Sequence, residues 1–100
     1  MVIVAGHIQI RPECRAAAVA AAVKMMRATA QEPGCRSYRF TSDLEDPNQF
    51  HLFEEWADDA ALQAHFQTPH MAEFNAAVPP LIAAPPSINR YEVGAVVKMM

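Results

Sequence analysis

"VIVAGHIQI", residues 2–10, is a run of β-branched residues interrupted by a glycine and a histidine. Such a run reads as a strand. Side chains alternate across a strand, so Val2, Val4, Ile8 and Ile10 share one face. Ile3 and Ala5 fall on the other, with His7 and Gln9. A strand that is apolar on both faces has to be covered on both.

Pro12 suits the first turn of a helix, and the Ala-rich "ECRAAAVAAAVKMMRATAQE" (13–32) continues it, with Ala16, Val19, Val23, Met26 and Ala30 at helical spacing. Pro33-Gly34 stops that helix. "CRSYRFTS" (35–42) and "QFHLFEEW" (49–56) read as two further strands. The "DLEDPN" between them is turn chemistry, so the pair forms a hairpin. Asp58 is placed to cap a second helix, "DAALQAHFQ" (59–67). Thr68-Pro69 breaks it and opens "HMAEFNAAV" (70–78). "SINRYEVGAVV" (87–97) reads as the last strand.

The order is β-α-β-β-α-β, an α+β, ferredoxin-like arrangement around a four-stranded antiparallel sheet. Right-handed crossovers put both helical connections on one side of the sheet. Strand 1 still needs cover on the other side, and a second copy of the same sheet is the simplest source. We therefore expect a homodimer. The composition agrees: 52% of residues are apolar, but 19 of the 100 are alanine, which leaves 33 larger hydrophobes and cysteines. That is a thin core for a lone protomer. No linker or repeat divides residues 1–100, so a single domain is expected.

Eight basic against eleven acidic residues give a net charge of −3, with no basic cluster, which argues against nucleic acid as a partner. No apolar run approaches the ~20 residues needed to cross a bilayer. "MVIVAGHIQIRPE" lacks the charged start of a signal peptide. Cys14 and Cys35 form no C-x-x-C pair, and reduced thiols in the cytoplasm are the expectation.

For metals, His65 and His70 lie five apart across Pro69, unlike two ligands one helical turn apart. The nearest acids in sequence, Asp58, Asp59 and Glu73, complete no known ligand spacing, so no metal is expected. Gly6, Gly34 and Gly94 are scattered and form no phosphate-binding loop. No cofactor is expected either.

"EPGCRSYRFTSDLEDPNQFHLFEEWADDAALQAHFQTPHMAEF" (32–74) resembles the antibiotic biosynthesis monooxygenase domain family. The shared pattern is an E-P-G-C-x-x-Y turn and strand, a D-x-x-x-P-N hairpin, an E-x-W strand end and an A-x-H-x-x-T-x-H helix. The resemblance implies a dimeric α+β barrel, and its quinol-oxidising members imply a cofactor-independent monooxygenase acting on a small aromatic such as a hydroquinone or polyphenol. Such chemistry needs an apolar pocket, a base and donors for the substrate anion.

His65 shares a helical stripe with Leu62 and Phe66. It is either the base or a satisfied core histidine. Trp56 is a cavity wall by resemblance and a core residue by position, on the strand face of Phe50, Leu52 and Glu54. Glu54 could orient an imidazole, although pairing with Arg39 or Arg90 across the sheet is favoured. The resemblance brings His7 to the pocket. Tyr38 either donates to an oxyanion or fills space, the latter being favoured. His51 is placed toward the dimer seam, and His70 is expected to cap or bond locally. In haem-degrading relatives an axial histidine stands on the last helix; Asn75 occupies the matching position here and disfavours that chemistry. A different class, a non-catalytic dimeric module binding a small hydrophobic ligand, would need the same apolar walls.

Overall fold

The computed structural model describes residues 1–100. Strand β1 spans Val2–Gln9, a short 3-10 turn Pro12–Cys14, and helix α1 Arg15–Thr29. Strands β2 (Cys35–Ser42) and β3 (Gln49–Trp56) form the hairpin. Helices α2 (Asp59–His65) and α3 (Pro69–Ala77), a second 3-10 turn (Pro79–Leu81) and strand β4 (Ser87–Glu92) complete the chain. The sheet runs β2-β3-β1-β4 with every pairing antiparallel. This is the ferredoxin-like α+β fold.

Local chemistry accounts for the boundaries. Asp43 Oδ1 accepts from the Glu45 and Asp46 amides and closes the hairpin turn. Asp58 caps α2 by accepting from the Ala61 amide at 2.8 Å. Thr68 caps α3, with Pro69 in its first turn. Gly34, at φ 81°, provides the left-handed step after α1 that other residues avoid. A bulge between Cys35 and Ser37 resets the register, so that Tyr38 stands opposite Glu54.

Two expectations are corrected. The buried stripe of α1 is Ala18, Ala22, Met25 and Thr29, each one residue before Val19, Val23, Met26 and Ala30 of the predicted stripe; Ala16 and Ala30 are exposed. An alanine-rich helix has little contrast between its faces, and here alanine methyls let it lie close on the sheet. The last strand ends at Glu92 rather than 97, and residues 93–100 follow without regular structure.

The core lies between the helices and the inner face of the sheet, where Val2, Val4, Ile8, Tyr38, Phe40, Phe50, Leu52 and Trp56 are buried. The outer face carries Ile3, Ala5, His7, Phe53 and Tyr91, of which Phe53 and Tyr91 are 42% and 49% exposed. Every residue of β4 is exposed. No helix is long and apolar enough to cross a membrane. Both cysteines are free.

Candidate active site

A cavity of about 340 Å³ opens between the inner sheet face and α3. Val4, Leu52, Phe66, Phe74 and Ile88 give it apolar walls, and its polar groups are Tyr38, Glu54 and Asn75. The volume falls in the lower part of the small-molecule range, ~300–1,000 Å³.

Glu54 is the unusual residue. It stands mid-sheet, opposite Tyr38 on β2 and Val4 on β1, and is 5% exposed. Its Oε1 accepts a hydrogen bond from Trp56 Nε1 at 2.9 Å. Burial pushes its carboxyl up to about 7; the Trp56 bond opposes that rise and the nearby Glu32 adds to it. Neither cross-sheet arginine takes it up, contrary to expectation. Arg90 instead pairs with Asp59 and Glu92. A cavity carboxyl that titrates near neutrality is poised for proton transfer.

Tyr38 is 6% exposed, and burial, then Glu54 and Glu32, hold its phenol far above the ordinary range. It therefore faces the cavity as a neutral donor. Burial and the same two carboxylates also raise the Cys35 thiol, which disfavours its reactive thiolate.

His65 is 1% exposed and stands behind the wall instead of in it. Its Nδ1 bonds Glu32 Oε2 at 2.7 Å, and its ring packs on those of Trp56, Tyr38 and Phe66 at centroid distances of 4.9, 5.5 and 5.9 Å. Trp56, fully buried, and Leu62, 1% exposed, are core residues and do not line the cavity. Trp56 is tied to the cavity through its hydrogen bond to Glu54. Phe66 lines the cavity edge and is 46% exposed.

His7 is on the outer face, opposite His51, away from the cavity. The alternation of β1 dictates this, because Val4 and Ile8 take the inner face. His51 bonds Asp43 at 2.8 Å. His70 does not bond locally: its Nε2 reaches the same Glu32 oxygen, 2.7 Å away and 38 residues earlier. Glu32, His65 and His70 thus bring three metal-ligating atoms within 4.8 Å of one another. Glu32 lies 33 and 38 residues from the two histidines in sequence, so local spacing does not reveal it; the fold delivers it from the end of α1.

The fold and this lined cavity define a class, and the comparisons agree. The profile of the antibiotic biosynthesis monooxygenase family matches residues 1–77, and the chain belongs to that family. It is 38% identical over 92% of its length to sll1783 of Synechocystis, of which the match spans only 63%. It is 28% identical over 93% of its length to YcnE of Bacillus subtilis, provisionally designated a monooxygenase, and that match spans 98% of YcnE. A Deinococcus radiodurans structure, provisionally designated an antibiotic biosynthesis monooxygenase, superposes with a TM-score of 0.92. It shares 30% identity, covering 100% of this chain and 99% of the other. A monooxygenase-like function is the level these likenesses support.

Proposed function

We propose that the protein is a cofactor-independent monooxygenase that oxidises a small aromatic, such as a hydroquinone or polyphenol, with molecular oxygen. The observation that carries this reading is Glu54, a carboxyl pushed up to about 7 in an apolar cavity, beside the neutral hydroxyl of Tyr38. The role of base, expected of His65 from the sequence, passes to Glu54. Glu54 faces the cavity, whereas His65 is held by Glu32 behind it.

Glu54, as carboxylate, takes a phenolic proton from the substrate. With the reference phenol near 10, the transfer is uphill by about 3 units, or about 4 kcal/mol. A hydrogen bond from Tyr38 to the new phenolate lowers that cost. The anion gives one electron to oxygen, and the two radicals join through a carbon–oxygen bond. Glu54 returns its proton to the resulting peroxide. The oxygen–oxygen bond then breaks: one atom stays on the ring as a carbonyl, and the other leaves as water with the hydrogen of the attacked carbon. A hydroquinone plus oxygen becomes a hydroxyquinone plus water, and the substrate supplies all four electrons. The balance therefore requires no outside reductant.

A second copy of the chain belongs to this reading. Phe53 and Tyr91, half-exposed on the outer face beside Ile3 and Ala5, favour a homodimer with two sheets face to face. The partner would steady β1 and β4, which border the cavity through Val4, Ile8 and Ile88.

Oxygen consumption by chelator-treated protein across a panel of hydroquinones tests the function. We expect one oxygen molecule per substrate and one atom of isotopically heavy oxygen in the product. Melting temperatures that rise with these aromatics, without oxygen uptake, would make the protein a binding module instead.

A further inference from the structure

The triad of Glu32, His65 and His70 lies outside the cavity and supplies no group that touches the substrate in the proposed oxidation. A carboxylate oxygen only accepts hydrogen bonds, so each imidazole presents an N–H to Glu32 Oε2, at 2.7 Å in both cases. His65 uses Nδ1 and His70 uses Nε2. Two nitrogens and one oxygen from three separate segments converge, all within 4.8 Å of one another.

The backbone under the triad is tightly held. The Glu32 amide bonds the Thr29 carbonyl, and the Glu32 carbonyl accepts from Cys35, which fixes the turn after α1. Between the histidines, the Thr68 amide and hydroxyl both donate to the His65 carbonyl, at 3.1 and 2.8 Å. The same hydroxyl accepts from the Met71 amide and starts α3. Burial grades outward, with side-chain exposures of 1% for His65, 11% for Glu32 and 21% for His70. One ligand is anchored in the core while another borders water, which leaves a route of entry.

We propose that Glu32, His65 and His70 form a binding site for a divalent first-row transition ion of borderline character, such as zinc. Two imidazoles and a carboxylate match the donor preference of such ions. Metal–ligand bonds of ~2.0–2.2 Å place neighbouring ligand atoms about 3.3 Å apart in a tetrahedral shell. Each nitrogen–oxygen pair therefore opens by about half an ångström, and the two nitrogens draw together. His70, the most exposed of the three, makes most of that movement. Each imidazole releases its N–H from the metal-facing nitrogen and carries the proton on the other. Water completes the shell on the His70 side. The ion would tie the end of α1 to the α2–α3 turn, behind Trp56 and Tyr38, so it clamps the cavity wall without entering the cavity.

The test uses zinc for affinity and melting temperature, and cobalt for its visible bands. We expect one ion per protomer, intense cobalt bands of low coordination number and a melting temperature that rises with zinc. His70→Ala and Glu32→Gln should each weaken binding by at least about 100-fold, more than the ~10–100-fold typical of outer partners. His70 is partly exposed, so His70→Ala should still fold; far-ultraviolet circular dichroism checks this. His51→Ala, which removes the outer-face pair of His51 and Asp43, should bind zinc like the wild type. Binding that survives His70→Ala, binding lost in His51→Ala, or no binding at 1 mM zinc would overturn the proposal. The readout is independent of turnover: a protein inert toward quinols can pass it, and an active one can fail it.

Discussion

Glu54 carries a cost to stability that its protonation relieves. The folded protein keeps the Glu54 proton up to about pH 7, whereas the unfolded chain releases it near the ordinary 4.5. Because the native state binds the proton more tightly, stability falls as pH rises from that ordinary value through 7, then levels off. The loss amounts to about 3 kcal/mol. Glu54→Gln still accepts from Trp56, so we expect it to be more stable than wild type by up to about 3 kcal/mol at pH 8 and nearly equal at pH 4. Urea denaturation at the two pH values checks this. Trp56→Phe removes the bond that favours the carboxylate, so the acidic limb of any pH–rate profile should move to higher pH. Thr29 is fully buried and its hydroxyl has no partner. Thr29→Val should be neutral or stabilising by about 1 kcal/mol in thermal melts. The sequence placed Glu54 among apolar neighbours but could not assign its partner, since Arg90 turns to Asp59 and Glu92 only in three dimensions.

At the scale of elements, β2 and β3 follow their predicted ranges, because turn chemistry at both ends leaves little freedom. The caps at Asp58 and Thr68 fix where α2 and α3 begin. Asp58→Ala should cost about 1 kcal/mol, readable by denaturation. What alanine repeats hide is rotation: the buried stripe of α1 moved by one residue because its faces barely differ. Contacts distant in sequence were hidden as well, above all the meeting of Glu32 with His65 and His70. Gly6 expresses a packing demand that β1 alone does not announce. A Cβ there would stand 2.0 Å from the Ser87 carbonyl oxygen and 2.6 Å from Ile88 Cα. Gly6→Ala should therefore push β4 off β1 and destabilise the fold by about 1–3 kcal/mol, seen as a lower melting temperature.

The whole molecule is a sheet covered by its own helices on one side, with Phe53 and Tyr91 partly exposed on the other. Sedimentation should give a dimer at micromolar concentration, and Phe53→Lys, which puts a charge in the proposed seam, should shift it toward monomer. A stable wild-type monomer would contradict the proposed assembly. The central claim concerns the cavity, and one experiment reaches it most directly: oxygen uptake with a hydroquinone, measured from pH 5 to 9, for wild type and Glu54→Gln. We predict a wild-type rate that climbs through about pH 7 to a plateau as Glu54 ionises, and a fall of ~100-fold or more in the variant. A Glu54→Gln protein that consumes oxygen at the wild-type rate, or a wild type that consumes none, would contradict it.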